Sequence, residues 1–202
     1  MSKLTGASVL SAIVLAALLA GGVMDLKAEP RTAGAPSTAE APKLERGGQV
    51  VQVVDGRTLR IDGRTVQLAG VKTPVPGQQC ERAGRLEPCG DQATAALAKI
   101  VDLSVKPLDC QPAASGEAGL VTCLVEGRDV AETLVKQGRA VATGDRYAQA
   151  EAQARTAELG LWGSAWVPPE QWLAGERLPA EREQLAEKTR DEAAERKPSE
   201  AE

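Results

Sequence analysis

Residues 49–74 have the sequence QVVQVVDGRTLRIDGRTVQLAGVKTP. The first apolar run ends at the turn signal Asp55-Gly56, and a second short run covers residues 58–61. The pair Asp62-Gly63 is a strong signal for a β-hairpin, and residues 64–71 continue as a third strand. This stretch therefore predicts three successive β-strands joined by tight turns.

The residues that follow alternate between helical and extended patterns. We predict a helix over 91–101, strands over 103–110 and 120–125, a helix over 130–137, an extended segment over 139–142 and a helix over 147–158. Asp129 is placed to cap the second helix, and Gly138 and Gly160 are placed to end the second and third. This order predicts a small closed antiparallel β-barrel decorated by helices, an α+β fold.

The composition excludes several kinds of chemistry. The chain of 202 residues contains no His, so mechanisms that need imidazole, including His-activated nucleophiles and His-ligated zinc, are excluded. Aromatic residues make up 2% of the chain and Phe is absent, so the core must be built from Val, Leu, Ile and Ala. The net charge of −4 argues against a nucleic-acid interface made by bulk positive charge.

The N-terminal region is predicted to direct the chain to a membrane. Residues 4–24 carry no charge, and as a helix they would span about 31 Å. We expect an uncleaved anchor in the bacterial inner membrane with a periplasmic domain; a cleaved signal peptide, giving a periplasmic or secreted protein, is the alternative. The predicted order of segments is the anchor or signal helix over residues 1–24, a flexible tether over residues 25–47, the domain over residues 48–174, and a charged helical or disordered tail over residues 175–202.

All four Cys residues lie in the predicted domain. Outside the cytoplasm an even number of Cys indicates disulfides, and four Cys allow three pairings. We favour Cys80–Cys89, which closes a short loop, together with Cys110–Cys123, which joins two neighbouring predicted strands. A zinc site is the weaker alternative, because the sequence has no C-x-x-C spacing and no His.

Five short motifs occur in a fixed order along the predicted domain. They are VDGRTL at 54–59, VQLAGVKTP at 66–74, PCG at 88–90, GRDVAETLVKQG at 127–138 and GLWG at 160–163, the last followed by PPEQW at 168–172. In this order they resemble the thermonuclease family of staphylococcal-nuclease-like (SNase-like) domains. The resemblance implies a five-stranded barrel of OB type with three helices. For active members of the family it implies calcium-dependent hydrolysis of phosphodiesters in DNA and RNA.

The sequence departs from the family at the positions that carry this chemistry. In the family two carboxylates hold the metal, a Glu helps to activate water, and two Arg residues stabilise the phosphate. The matching positions are Arg57 and Lys72 for the carboxylates, Val75 for the Glu, and Gln67 and Ala118 for the two Arg residues. Two cations would repel Ca²⁺, and Val75 cannot accept a proton. We therefore expect no catalytic residues, no metal site and no cofactor.

Arg57 and Lys72 leave three interpretations open: an anion-binding pocket, a salt-bridge cluster that neutralises itself, or solvated charges with no role. The predicted function is a catalytically inactive binding or scaffold module, whose partner is an unidentified envelope protein or another ligand. One alternative is a divergent nuclease that uses other carboxylates, such as Asp62 or Glu117. A second alternative is a module that binds nucleic acid or anions without cleaving them.

Overall fold

A computed structural model describes residues 43–103 and 105–195 of the chain. Three predicted segments lie wholly or partly outside these ranges. They are the membrane helix over residues 4–24, the tether as far as residue 42, and the last seven residues of the tail. Within the two described ranges, no helix combines the length and the apolar character that a membrane crossing requires.

Four consecutive antiparallel strands form the first half of the main sheet. They are β1 (Lys43–Arg46), β2 (Gln49–Val53), β3 (Thr58–Ile61) and β4 (Arg64–Leu68). Asp62 and Gly63 form the turn between β3 and β4 with positive φ angles, as the hairpin signal predicts. β1 lies before residue 48, the predicted start of the domain. Its pairing with β2 packs Leu44 against the core, so the folded part already includes residue 43.

The remaining described strands make the main sheet mixed. They are β5 (Val71–Lys72), β6 (Cys80–Arg82), β7 (Arg85–Glu87), β8 (Asp109–Pro112), β9 (Leu120–Val125), β10 (Arg128–Asp129) and β11 (Val141–Ala142). β8 and β10 join the main sheet through β9, whereas β5 pairs with β11, and β6 with β7, in two small sheets. β9 runs parallel to β4, which corrects the expected all-antiparallel arrangement. The chain between β4 and β9 contains a helix, and a crossover of this kind permits parallel pairing.

Five α-helices lie in the described part of the chain. They are α1 (Cys89–Asp102), α2 (Val130–Lys136), α3 (Ala148–Thr156), α4 (Pro169–Leu173) and α5 (Pro179–Glu195). The strand predicted over residues 103–110 begins only at Asp109, and α1 ends at Asp102, one residue after its predicted end. Leu103 and Val105 are 64% and 85% exposed, so they do not belong to a buried strand. Asp129 caps α2 as predicted, accepting a backbone N–H of its first turn at 3.2 Å.

Two hydrophobic clusters hold these elements together. The larger cluster consists mainly of Val, Leu, Ile and Ala, as the composition predicts, and joins the main sheet to α1, α2 and α3. The smaller cluster contains Cys80, Cys89 and Leu161, with Trp166 packed against it. Both favoured disulfides are present: Cys80–Cys89 closes the loop before α1, and Cys110–Cys123 joins opposite residues of β8 and β9.

Candidate functional site

A pocket of about 270 Å³ opens between the β2–β3 turn, β4, β5 and α4. The residues that line it are Asp55, Arg57, Gln67, Lys72, Thr73, Val75, Pro169, Glu170 and Leu173. Four of the five positions singled out in the sequence therefore face one cavity, although they come from three separate segments of the chain. The fifth position, Ala118, does not line this pocket.

Asp55 organises the turn between β2 and β3. Its Oδ1 atom accepts the backbone N–H of Arg57 at 2.9 Å and that of Thr58 at 2.8 Å. Such bonds to the following backbone are typical of Asp in a turn. One carboxylate oxygen of Asp55 is thus committed to the backbone, and the turn it stabilises carries Arg57 at the pocket.

The guanidinium of Arg57 bridges two strands. Its Nη2 atom donates to Oε1 of Gln67 in β4 at 2.5 Å, and its Nη1 atom donates to the carbonyl of Val71 in β5 at 3.0 Å. Thr58 lies opposite Gln67 in the β3–β4 register, which brings the preceding residue, Arg57, within reach of that side chain. Arg57 is half-buried, and the hydrogen bonds to β4 and β5 hold its guanidinium in place.

An ion pair forms another wall of the pocket. The ammonium of Lys72 pairs with the carboxylate of Glu170, which lies in the first turn of α4. The two side chains are 49% and 55% exposed, so water and salt screen the pair. The hydrogen bond from Lys72 lowers the pKa of Glu170 below its ordinary value, and the backbone N–H of Glu170 and the charge of Arg57 act in the same direction. Glu170 is therefore ionised at neutral pH and offsets the charge of Lys72.

The domain that carries this pocket is similar to known proteins. Residues 65–164 match the family model described as staphylococcal nuclease homologue. Residues 65–164 are therefore a staphylococcal nuclease-like domain. A similar curated protein is the succinoglycan biosynthesis protein ExoI of Rhizobium meliloti (strain 1021), which is 33% identical over 121 residues. The alignment covers 54% of this chain and 61% of ExoI, so the chain spans less than two thirds of that relative's length.

The two remaining family positions of the nuclease-like domain differ in their placement. Val75 lines the pocket with an apolar side chain, in the loop after β5. Ala118 is exposed in the turn before β9. The carbonyl of its neighbour Gly119 accepts the backbone N–H of Gln67 at 2.8 Å. Ala118 therefore lies near the β4 end of the pocket without contributing a side chain to it.

The carboxylates considered as substitutes for the family ligands lie elsewhere in the nuclease-like domain. Asp62 is in the hairpin turn at the opposite end of β3 from Asp55, and its Oδ1 atom accepts the backbone N–H of Val50 at 2.8 Å. Glu117 is exposed in the turn before β9. Neither residue lines the pocket, so the structure does not bring them together with Asp55.

The side chains that line the pocket do not provide the ligands needed by the calcium ion that active members of the family use. Ca²⁺ takes six to eight oxygen ligands, commonly including carboxylates. Asp55 offers one carboxylate that already bonds to the backbone, and the carboxylate of Glu170 is paired with Lys72. The guanidinium of Arg57 and the ammonium of Lys72 are positively charged and have no lone pair to offer a metal ion, so they cannot act as ligands. Among the residues that the structure describes, no cluster of three or more Cys, Asp or Glu side chains could hold a metal ion.

Sequence reasoning missed two residues that shape the pocket. Glu170 belongs to the PPEQW motif, but no local pattern indicates its ion pair with Lys72. Gln78 is fully buried; its side chain accepts the backbone N–H of Val75 at 3.1 Å and donates to the carbonyl of Val167 at 2.6 Å. Gln78 thereby ties the loop after β5 to the segment that leads into α4. A Gln next to Pro and Gly residues gives no sequence signal for such a role.

The start of α1 packs closely against the same loop. A Cβ atom at Gly90 would lie 1.7 Å from the carbonyl oxygen of Val75, so only glycine fits there. The backbone N–H of Gly90 also donates to the carbonyl of Gln78 at 3.1 Å. The glycine of the PCG motif is therefore explained by a backbone contact beneath the pocket and not by catalysis.

Proposed function

We propose that this protein is a catalytically inactive nuclease-like protein whose domain acts as a binding or scaffold module. The observation that carries the proposal is the guanidinium of Arg57, which stands at a position where the family has a metal-binding carboxylate and is bonded to Gln67 and Val71. Gln67 itself stands where the family has a phosphate-binding Arg. Both changes remove groups that phosphodiester cleavage in this family requires.

Coulomb's law gives the size of the electrostatic obstacle. Two unit charges 4 Å apart interact by about 4 kcal/mol at an effective dielectric constant near 20, and a divalent ion doubles this energy. A cation at one ligand position would therefore oppose Ca²⁺ by roughly 8 kcal/mol at most. Glu170 offsets the charge of Lys72, whereas the acceptors of the Arg57 side chain in the described ranges are an amide and a carbonyl oxygen. The charge of Arg57 is therefore offset less directly than that of Lys72, and it opposes a metal ion more strongly.

The remaining steps of the family reaction also lack their groups. Val75 stands at the position of the Glu that helps to activate water, and its side chain cannot take a proton. Neither Gln67 nor Ala118 supplies positive charge to a phosphate as negative charge builds up in the transition state. Because metal binding, water activation and phosphate stabilisation are all affected, restoring one residue would not rebuild the site.

We further propose that the domain is tethered to the bacterial inner membrane and binds an envelope component in the periplasm. The two disulfides support an oxidising compartment, because cytosolic thiols are kept reduced. The name of the similar ExoI protein concerns succinoglycan biosynthesis, so proteins of such a biosynthesis are one candidate class of partner. Cell fractionation tests the tether: the protein should sediment with membranes and be released by detergent but not by high salt.

A plasmid-cleavage assay on the full-length protein tests the absence of catalysis. We expect cleavage with Ca²⁺ to equal that of a buffer blank, while an active SNase-like enzyme assayed in parallel degrades the plasmid. A matched variant restores the family residues by Arg57→Asp, Gln67→Arg, Lys72→Asp, Val75→Glu and Ala118→Arg, and shows whether the scaffold can still support cleavage. Calcium-dependent turnover by the natural protein that is lost in Asp55→Asn would overturn the proposal.

A further inference from the structure

We propose that the pocket between Arg57 and Lys72 binds a small oxyanion, the phosphate or carboxylate group of a ligand, and that Glu170 competes with this ligand from within the chain. The inference rests on the proposed function, because it takes the pocket to hold an anion where active family members hold a metal. In the ligand-free protein the carboxylate of Glu170 occupies the position of the ligand's anionic group.

Both cations keep N–H groups for a ligand. A guanidinium carries five N–H donors, and the Arg57 side chain donates two hydrogen bonds within the described residues, to Gln67 and Val71. An ammonium carries three donors, and the partner of Lys72 in the same ranges is Glu170. Because Gln67 and Val71 already fix the guanidinium, little side-chain entropy is lost when an anion binds to it.

The pair of Lys72 and Glu170 can open without disturbing the core. Ion pairs between half-exposed side chains contribute little to stability, since water solvates the separated charges well. Glu170 lies on a helix of five residues, and Leu173 on the same helix is 68% exposed. A rotation of the Glu170 side chain is therefore sufficient to free Lys72, and an incoming anion replaces one negative charge with another.

The charge and size of the pocket favour a single anionic group. With the ion pair closed, Asp55 and Glu170 balance Arg57 and Lys72, and when Glu170 turns away a net positive charge remains. Oδ1 of Asp55 accepts the backbone N–H groups of Arg57 and Thr58. These two hydrogen bonds stabilise the negative charge of Asp55. A volume of about 270 Å³ lies just below that of pockets for drug-sized ligands and suits one phosphate or a short carboxylic acid.

An NMR titration of the full-length protein tests this inference, with inorganic phosphate and malonate as separate probes and EDTA present throughout. We expect saturable shifts of the backbone amides of Lys72 and Thr73, which line the pocket. Lys72→Gln should abolish the saturable component. Glu170→Gln should strengthen binding about fivefold, because it removes the competing carboxylate from an exposed pair.

The ion pair of Lys136 and Glu132 provides matched controls. Its side chains are 51% and 42% exposed, close to the values for Lys72 and Glu170, and neither residue lines the pocket. Lys136→Gln and Glu132→Gln change the net charge by the same amounts as the two pocket variants. We expect both to leave the affinity for phosphate and malonate unchanged.

Each outcome of the titration decides the inference. Saturation by phosphate, by malonate or by both supports it and identifies the preferred anionic group. The inference is overturned if neither the natural protein nor Glu170→Gln saturates with either probe. It is also overturned if Lys72→Gln and Lys136→Gln change the affinity for the probes equally. The titration contains neither metal nor nucleic acid. A negative result therefore leaves the absence of catalysis standing, and cleavage in the plasmid assay would not change how the titration is interpreted.

Discussion

Arg57 and Gln67 are hydrogen bonded to each other, with 2.5 Å between Nη2 and Oε1. Both residues are predicted to stand at positions where the sequence departs from the active members of the family. The two departures support each other, because the amide oxygen of Gln67 accepts an N–H of the guanidinium, whereas an Arg at position 67 would bring a second cation against the first. The contact between Arg57 and Gln67 therefore links the turn before β3 to β4 at the wall of the pocket.

Replacement of Gln67 by the family residue should destabilise this protein. In Gln67→Arg the guanidinium of Arg57 loses an acceptor and gains a neighbour of like charge. We expect the free energy of unfolding to fall by about 2 kcal/mol, the usual value of a hydrogen bond to a charged group. Urea denaturation followed by Trp fluorescence measures the change.

Gln67→Glu is the matched control for this prediction. It keeps an oxygen acceptor for Arg57 and adds a negative charge, so the free energy of unfolding should equal or exceed that of the natural protein. Equal denaturation midpoints for Gln67→Arg and Gln67→Glu would show that the contact between Arg57 and position 67 contributes nothing to stability.

The ends of α2 and α3 meet at two glycines, and we expect Gly138→Ala to be severely destabilising. Gly138 has a φ of +64°, and a Cβ atom there would lie 2.0 Å from the carbonyl oxygen of Leu159. Its own carbonyl accepts the backbone N–H of Leu161 at 2.9 Å, so the backbone cannot move away without breaking that bond. The free energy of unfolding should fall by more than about 3 kcal/mol.

Gly127→Ala separates the steric clash from backbone strain. Gly127 has a similar φ of +75°, but a Cβ atom there would meet no heavy atom within 4 Å. The loss should then be about 1 kcal/mol, the cost of a left-handed conformation for a residue with a side chain. Similar losses for Gly127→Ala and Gly138→Ala would refute the proposed backbone contact.

Tyr147, the single Tyr of the chain, should cause the free energy of unfolding to fall at high pH. Burial raises the pKa of Tyr147 well above its ordinary value, and its hydrogen bond to the carboxylate of Asp129 acts in the same direction. The neutral phenol is thus favoured in the folded state. Its contribution to stability is complete below a pH of about 10, the pKa in the unfolded chain, and is lost as the pH rises towards the folded pKa.

Ultraviolet absorbance of the tyrosinate reports this one phenol directly. In Asp129→Asn, which retains a cap for α2, the pKa of Tyr147 should fall but stay above the ordinary value, because burial is the larger cause. Titration of the folded natural protein with an unshifted pKa would contradict the prediction.

The disulfide between β8 and β9 should be a large contributor to stability. Cys110 and Cys123 are 13 residues apart, and closing a loop of about this length stabilises a domain by roughly 3 kcal/mol. We expect the double variant Cys110→Ala and Cys123→Ala to lose about that amount in chemical denaturation. A midpoint equal to that of the natural protein under oxidising conditions would mean that the β8–β9 pairing does not depend on the bridge.

The parts of the fold that the sequence predicts well are specified by local signals. The β3–β4 hairpin follows from Asp62-Gly63, and the start of α2 follows from the cap at Asp129. The segment after α1 was predicted wrongly as a strand, because Leu103 and Val105 look like core residues but are exposed. Local apolar character does not reveal whether a segment reaches the core.

The candidate site likewise contains residues that the sequence identifies and residues that it does not. Arg57, Gln67 and Lys72 lie within the sequence motifs and Val75 directly follows one, so these positions could be found from the sequence. The structure brings them to one pocket. Glu170 could not be assigned a role, since its partner Lys72 lies on a strand far away in the sequence. The parallel pairing of β4 with β9 was missed for a related reason: it depends on how the chain crosses over and not on either strand's own pattern.

The pocket beside Asp55 should take up no Ca²⁺, even when a nucleotide is present. Calorimetric titration of Ca²⁺ into the full-length protein, with a nucleoside bisphosphate in cell and syringe, measures this binding. We expect only the heat of a blank titration without protein. A saturable one-site isotherm above that blank, absent in Asp55→Asn, would contradict it.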